Sequence, residues 1–127
     1  MIELNKITSE IINAAVKVHK ELGPGLLESV YHSCLMFEIV KRGLHVESEV
    51  AVPIVYQGVK VSEDGFRLDL VVEGLVIVEL KSVEKIQPIH KKQLLSYLRL
   101  AGKPLGLLVN FNEPTLVSGV ARIANGA

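Results

Sequence analysis

Asp69, Glu79 and Lys81 are charged residues set inside the most apolar part of the chain. They fall in FRLDLVVEGLVIVELKS, Phe66 to Ser82, which reads as two strands joined near Gly74. Side chains alternate along a strand. Glu79 and Lys81 therefore share a face with Leu75 and Ile77, and Asp69 shares one with Arg67 and Val71. A two-residue turn at Glu73-Gly74 would put Asp69 opposite Val78, on the wrong face. A three-residue loop, Val72-Glu73-Gly74, ends on glycine, the residue suited to its final left-handed position. That register predicts Asp69 opposite Ile77 and diagonal to Glu79, within side-chain reach. Two carboxylates so close repel unless something neutralises them. A hard divalent cation with oxygen ligands, Mg²⁺ or Mn²⁺, does so. Lys81, on the same face, can orient a water or steady a developing negative charge. The plainer reading is solvated charges on an edge strand, or a Glu79–Lys81 ion pair. Against it, LVIVEL and LDLVV are apolar on both faces, the pattern of a central strand, and a charge buried there needs a partner.

A third acid stands on helical sequence. At about 100° per residue, Glu28 lies on one stripe with Tyr31, Leu35 and Ile39. It either favours the positive end of its helix or is a third acidic ligand aimed at the sheet. Further on, Gln93 and Tyr97 share a helix face, and His90 precedes Gln93 by three. They read either as ordinary surface polar groups or as site residues. His90 has no Cys or second His at ligand spacing, which argues against zinc. There is no glycine-rich phosphate loop, no Cys pair and no G-x-S-x-G.

The elements that must position these groups follow from periodicity. Ile7, Ile11, Ala14, Ala15, Val18 and Leu22 form one helical stripe over residues 5–21, stopped by Gly23-Pro24-Gly25. A second helix runs from about Leu26 to Arg42. Leu44 to Tyr56 is strand-like, Gln57-Gly58 a turn, and SEDG a polar loop before the two strands. IQPIHKKQLLSYLRLAG is a third helix with Pro88 in its first turn and Gly102 at its end. PLGLLVNF is a buried strand, and LVSGVARI reads as a last short one. The order α-α-β-β-β-α-β predicts one mixed α/β domain over residues 1–127, a sheet flanked by helices.

Composition limits the function. At 127 residues with 49% apolar and 22% charged side chains, the chain can bury one core and is not disordered. No apolar run reaches membrane-spanning length, and MIELNKITSEI lacks the pattern of a secretory leader. With its single cysteine, Cys34, in a helical pattern, a reducing cytoplasm is expected. Net charge is zero but unevenly spread. Residues 1–80 hold seven Lys and Arg against twelve Asp and Glu, whereas residues 81–103 hold six against one. A locally basic segment therefore begins at Lys81.

Asp69-x9-Glu79-Leu80-Lys81, after a helix carrying Glu28 and before one carrying Gln93, resembles the PD-(D/E)XK nuclease superfamily. More narrowly, Gly25-Leu-Leu-Glu28-Ser-Val-Tyr31 resembles the signature of the GxxExxY protein family, and VIVELKSV and IHKKQLLSYLRLAGKPLGLLVNF its later blocks. The resemblance covers about residues 5–123. Leu68 stands where the superfamily motif has proline. The resemblance implies a restriction-endonuclease-like α-β-β-β-α-β core with an extra N-terminal helix. It implies metal bound by Glu28, Asp69, Glu79 and the backbone carbonyl of Leu80, with Lys81 placing the attacking water and Gln93 supporting. The implied reaction is metal-assisted phosphodiester hydrolysis. Together with the basic segment it implies nucleic-acid contacts from Tyr31, Lys85, His90, Lys91, Lys92, Tyr97 and Arg99, with DNA ahead of RNA. A small neutral domain has little grip on DNA alone, which points to a homodimer or a partner. The alternative is a nuclease-like module that binds nucleic acid or a protein without cutting.

Overall fold

The computed structural model describes residues 3–126. Helix α1, Leu4–Leu22, buries the apolar stripe of the sequence, from Ile7 to Val18. Helix α2, Glu28–Lys41, buries Tyr31, Leu35, Glu38 and Ile39. There follow β1 (Val46–Tyr56), β2 (Val59–Val72), β3 (Val76–Lys81), α3 (Pro88–Ala101), β4 (Leu105–Asn110), a 3-10 turn (Leu116–Gly119) and β5 (Val120–Ala124). The strands form one sheet in the order β1-β2-β3-β4-β5. All neighbours are antiparallel except β3 and β4, which are parallel and joined by α3. A parallel pair requires such a crossover. This is the mixed sheet flanked by helices that the sequence predicts.

β3 lies at the centre, and every residue in it but Lys81 is buried. Its alternation sorts the core. Val76, Val78 and Leu80 pack with α1 and α2, whereas Ile77 packs with Leu94 and Leu98 of α3 on the other face. Glu79 and Lys81 follow Ile77 toward the α3 side. α3 sits close because β4 carries Gly106 beneath it: a Cβ there would stand 2.9 Å from Leu94.

Two expectations are corrected. SEDG is no loop; β2 runs through it from Val59, paired with the long β1. The hairpin register also differs. Val72 pairs with Val76, Val71 with Ile77 and Leu70 with Val78. The loop is Glu73-Gly74-Leu75, and Asp69 therefore comes directly opposite Glu79 instead of diagonal to it. Glu73 joins Gly74 in the left-handed region at φ 54 and Leu75 N–H closes the turn onto Val72 O at 3.0 Å, but Leu75 stays outside the ladder and pairing resumes at Val76. Two successive left-handed residues make the turn whose twist suits antiparallel strands. Glu73 is held there by His45, whose N–H donates to Glu73 Oε2 at 2.6 Å and whose carbonyl accepts from Glu73 N–H at 2.8 Å. The shift is two residues, an even number, so it does not by itself move either acid to the other face. At the C-terminal end, LVSGVARI is divided between the 3-10 turn and β5.

The loop leaving β3 is clamped by Asn110, which is fully buried at the end of β4. Its Nδ2 donates to Val83 O at 2.9 Å, and its Oδ1 accepts from the N–H groups of Val83 and Asn112. Replacing it by an apolar residue strands those backbone groups. Asn110→Leu is expected to lower unfolding free energy by about 2–3 kcal/mol in urea denaturation; a loss below ~0.5 kcal/mol would show that the clamp contributes nothing.

Candidate active site

The β2–β3 ladder stops at Leu70 and Val78. One residue further, carboxylates take over from carbonyls. Asp69 N–H donates to Glu79 Oε2 at 3.0 Å, and Leu80 N–H donates to Asp69 Oδ2 at 2.8 Å. Each acid satisfies a backbone donor that a continued ladder would have paired. The carbonyl of Lys81 faces β4, where it accepts from Phe111 N–H at 3.0 Å. The carbonyl of Leu80, one residue back, therefore faces the opposite edge, toward the opening between β2 and β3.

Asp69 marks a break in the facing of β2. Leu70 packs on the α1–α2 side, yet both Leu68 and Val71 pack on the α3 side. Across the sheet, Glu49 of β1 adopts φ 54 between the pairs Ser48–Leu70 and Val50–Leu68. Such an irregularity re-aims a side chain, and here it gives Asp69 access from both faces. On the α2 side it joins a cleft of about 370 Å³ whose lining includes Glu28, His32, Glu49 and Leu80. On the α3 side it is felt by Tyr97, whose hydroxyl pKa is raised by burial first and then by the charges of Glu79 and Asp69.

Burial governs Glu79. It is 8% exposed, and its pKa is pushed from the ordinary 4.5 up to about 8. Loss of solvation is the largest cause and the neighbouring charge of Asp69 the next; the Asp69 N–H and Lys81 pull the other way. Without a cation, Glu79 thus holds a proton near neutral pH. Two facing acids, a peptide carbonyl turned toward them and one excess proton make a donor set suited to a hard divalent ion.

α2 is tied to this fork at two points. Ser82 Oγ donates to Leu26 O at 2.8 Å, fixing the loop that leads to Glu28. His32, one turn after Glu28, places Nε2 3.0 Å from Asp69 O and 3.2 Å from Ser48 Oγ. In the Nε2-protonated tautomer it donates to the Asp69 carbonyl and joins helix to strand. Glu28-x-x-x-His32 has the one-turn spacing that puts both on one helix face, a signal present in the sequence but passed over there. Glu49 carries no such signal, because nothing in a strand pattern announces a left-handed glutamate.

The expected site residues divide into groups. Asp69 and Glu79 meet; Glu28, Asp69 and Leu80 share the cleft; Lys81 is half-buried at the end of β3. The expected closed cluster of three acids does not form. Glu28 is exposed on the helix wall, and among the described residues no three His, Cys, Asp or Glu side chains gather tightly enough to enclose an ion. Tyr31 leaves the nucleic-acid set. It is fully buried and stacked on Phe111 at 4.4 Å, and its hydroxyl donates to Gly23 O at 2.6 Å. Tyr97 is half-buried and stacked on Phe66 at 4.2 Å. His90 caps α3, its Nδ1 accepting from Gln87 N–H at 2.9 Å. Gln93, Lys92 and Arg99 are exposed on α3, while Lys85 and Lys91 line a separate cleft beside Glu113 and the start of β5.

A family model for the PD-(D/E)XK nuclease superfamily matches residues 5–123. The chain belongs to the PD-(D/E)XK nuclease superfamily. No curated protein and no solved structure matches it. Membership assigns a nuclease-like function in general terms and a domain type that typically uses divalent metal ions. Among the described residues, no helix of this superfamily member is long and apolar enough to cross a membrane.

The raised pKa of Glu79 has a thermodynamic consequence for the metal-free protein. Its proton-linked stabilisation is complete below about 4.5, the unfolded value, and is lost as pH rises toward about 8. Glu79→Gln keeps the shape without the charge. In thermal melts with chelator present, this variant is expected to lose that decline and to exceed the native chain by a few kcal/mol above pH ~8. Parallel pH profiles for the two proteins would contradict the assignment.

Proposed function

We propose that the protein is a Mg²⁺- or Mn²⁺-dependent nuclease that hydrolyses phosphodiester bonds of nucleic acid at the β2–β3 fork, and that within its superfamily it belongs to the GxxExxY family. The observation that carries this reading is the facing pair of half-buried Asp69 and buried Glu79, set against each other where a cation would replace the proton. The Leu80 carbonyl completes the inner donor set, and Glu28 faces it across the cleft. When bound, the ion supplies Lewis-acid polarisation of the phosphate and a lowered pKa for an attacking water.

The remaining work falls to side chains. Lys81 is close enough to Glu79 to lower its pKa, and an ammonium there holds a water or offsets charge growing on the phosphate. Tyr97 sits over the two acids from α3, and Gln93 lies one turn before it. Lys92 and Arg99 on α3 hold flanking phosphates, and Lys85 and Lys91 extend the positive surface. Among the described residues none of these four cations is ion-paired. DNA is the favoured substrate in this reading. Tyr31 is buried and Tyr97 is already stacked on Phe66, so among the described residues neither expected tyrosine stands free to stack an unpaired base. Contacts then run to the backbone of a duplex.

The test is cleavage of plasmid and single-stranded DNA with Mg²⁺ or Mn²⁺. Asp69→Asn, Glu79→Gln and Lys81→Ala are each expected to lower the rate by about 10²-fold or more. Chelator should abolish cleavage in the native protein. Cleavage at the native rate by Glu79→Gln would sink the proposal. Nucleic-acid binding by every protein, the native chain included, with cleavage by none would instead support a non-catalytic module, the reading that the stand-off of Glu28 favours.

A further inference from the structure

α2 is apolar on two faces. Tyr31, Leu35 and Ile39 fill the core, while Val30, Phe37 and Val40 line the outside, Phe37 being 66% exposed and Val40 53%. A helix so patterned is ordinarily covered on both sides. Beside Phe37 the two N-terminal helices leave an open groove of about 380 Å³ whose lining includes Lys17, Glu21, Leu22, Cys34, Glu38 and Lys41. Its floor is unfinished. Glu38 is 7% exposed; its Oε1 pairs with Lys17 Nζ at 3.1 Å, but its Oε2 is buried without a hydrogen-bond partner. A native structure rarely leaves such an atom unexplained.

The charges on this groove indicate what covers it. The pairs Lys17–Glu38 and Glu10–Arg42 show that α1 and α2 run antiparallel. Glu21, four residues after Lys17, is then level with Cys34, four before Glu38. Lys41 lies three residues beyond Glu38. The groove is therefore acidic at the Glu21 end and basic at the Lys41 end, with Phe37 midway. Both terminal residues are exposed, and among the described residues neither is ion-paired. A surface with an apolar knob at its midpoint, a hollow beside it and opposite charges at equal distances on either side is self-complementary under a two-fold axis.

We infer that the outer face of α2 and the α1–α2 groove form the interface of a symmetric homodimer. The helices of the two copies lie antiparallel. Phe37 stands at the axis, and Glu21 of each copy lies beside Lys41 of the other. The same axis brings Lys17 of the second copy level with Glu38, where a donor is lacking. This inference does not depend on the nuclease reading, because Glu21, Phe37 and Lys41 take no part in the fork.

The test is sedimentation velocity of the purified full chain over a concentration series, with circular-dichroism melts to check folding. A monomer–dimer equilibrium is expected. Phe37→Glu should weaken it by about 30-fold or more, as loss of a central anchor does. Glu21→Lys and Lys41→Glu should each weaken it roughly 5-fold, and the double variant should recover toward native affinity, since the exchanged charges again meet their opposites. A monomer at every concentration overturns the inference and leaves the face to a different protein. So does a dimer indifferent to Phe37→Glu, or a double variant no tighter than the singles.

Discussion

Two hydrogen bonds made by carboxylates in place of carbonyls decide where the sheet opens. Asp69 N–H is taken by Glu79 and Leu80 N–H by Asp69. Without those acceptors the two donors would be left unpaired near the centre of the sheet, at a cost of about 1–3 kcal/mol each. With them, both N–H groups keep an acceptor where the β2–β3 ladder ends, and the space beyond can admit solvent or a ligand. The acids are thus structural and chemical at once. The geometry that satisfies the backbone also presses two carboxylates together, and that crowding in turn favours a proton or a cation between them.

The fork is held from three directions, which is why it can be precise in so small a domain. Glu73 and His45 hold the far end of the hairpin in whose register Asp69 faces Glu79. Asn110 closes the chain leaving Lys81. His32 and Ser82 bring α2 to the open side. None of these residues needs to touch a substrate to matter. Each fixes one coordinate of the acids: register along the strand, exit direction, or distance to the helix wall.

How much of this was legible in the sequence depended on how far each feature rests on local periodicity. The order of elements, the centrality of β3 and the closeness of Asp69 to Glu79 follow from stripe and alternation, and these stood. The register did not, because Leu75 stays outside the ladder after the Glu73-Gly74 turn, and that turn is bonded to His45, 28 residues away. The twist of Asp69 out of strict alternation depends on Glu49 of the next strand. Tyr31 looked like a site residue because it is part of a motif, but its role is to seal the α1–α2 connection from inside through Gly23 and Leu26. Motif spacing could not separate a residue that forms the site from one that shapes the loop leading to it.

The zero net charge of the chain conceals two opposed regions, and the site lies where they meet. The acids of the fork belong to the negative segment of residues 1–80, and the positive segment begins with Lys81 in the fork itself. A phosphate responds to local potential, not to total charge, since beyond about 10 Å exposed charges are largely screened. Lys81 on β3 and the exposed Lys92 and Arg99 on α3 therefore matter more to an approaching anion than the distant carboxylates of α1 and the β1–β2 hairpin. The same reasoning bears on the burial of Glu79 beside half-buried Asp69. Fully exposed and ionised, the two carboxylates would repel any anion drawn toward the lysine. With Glu79 buried and protonated near neutral pH, the pair presents less negative charge to the outside.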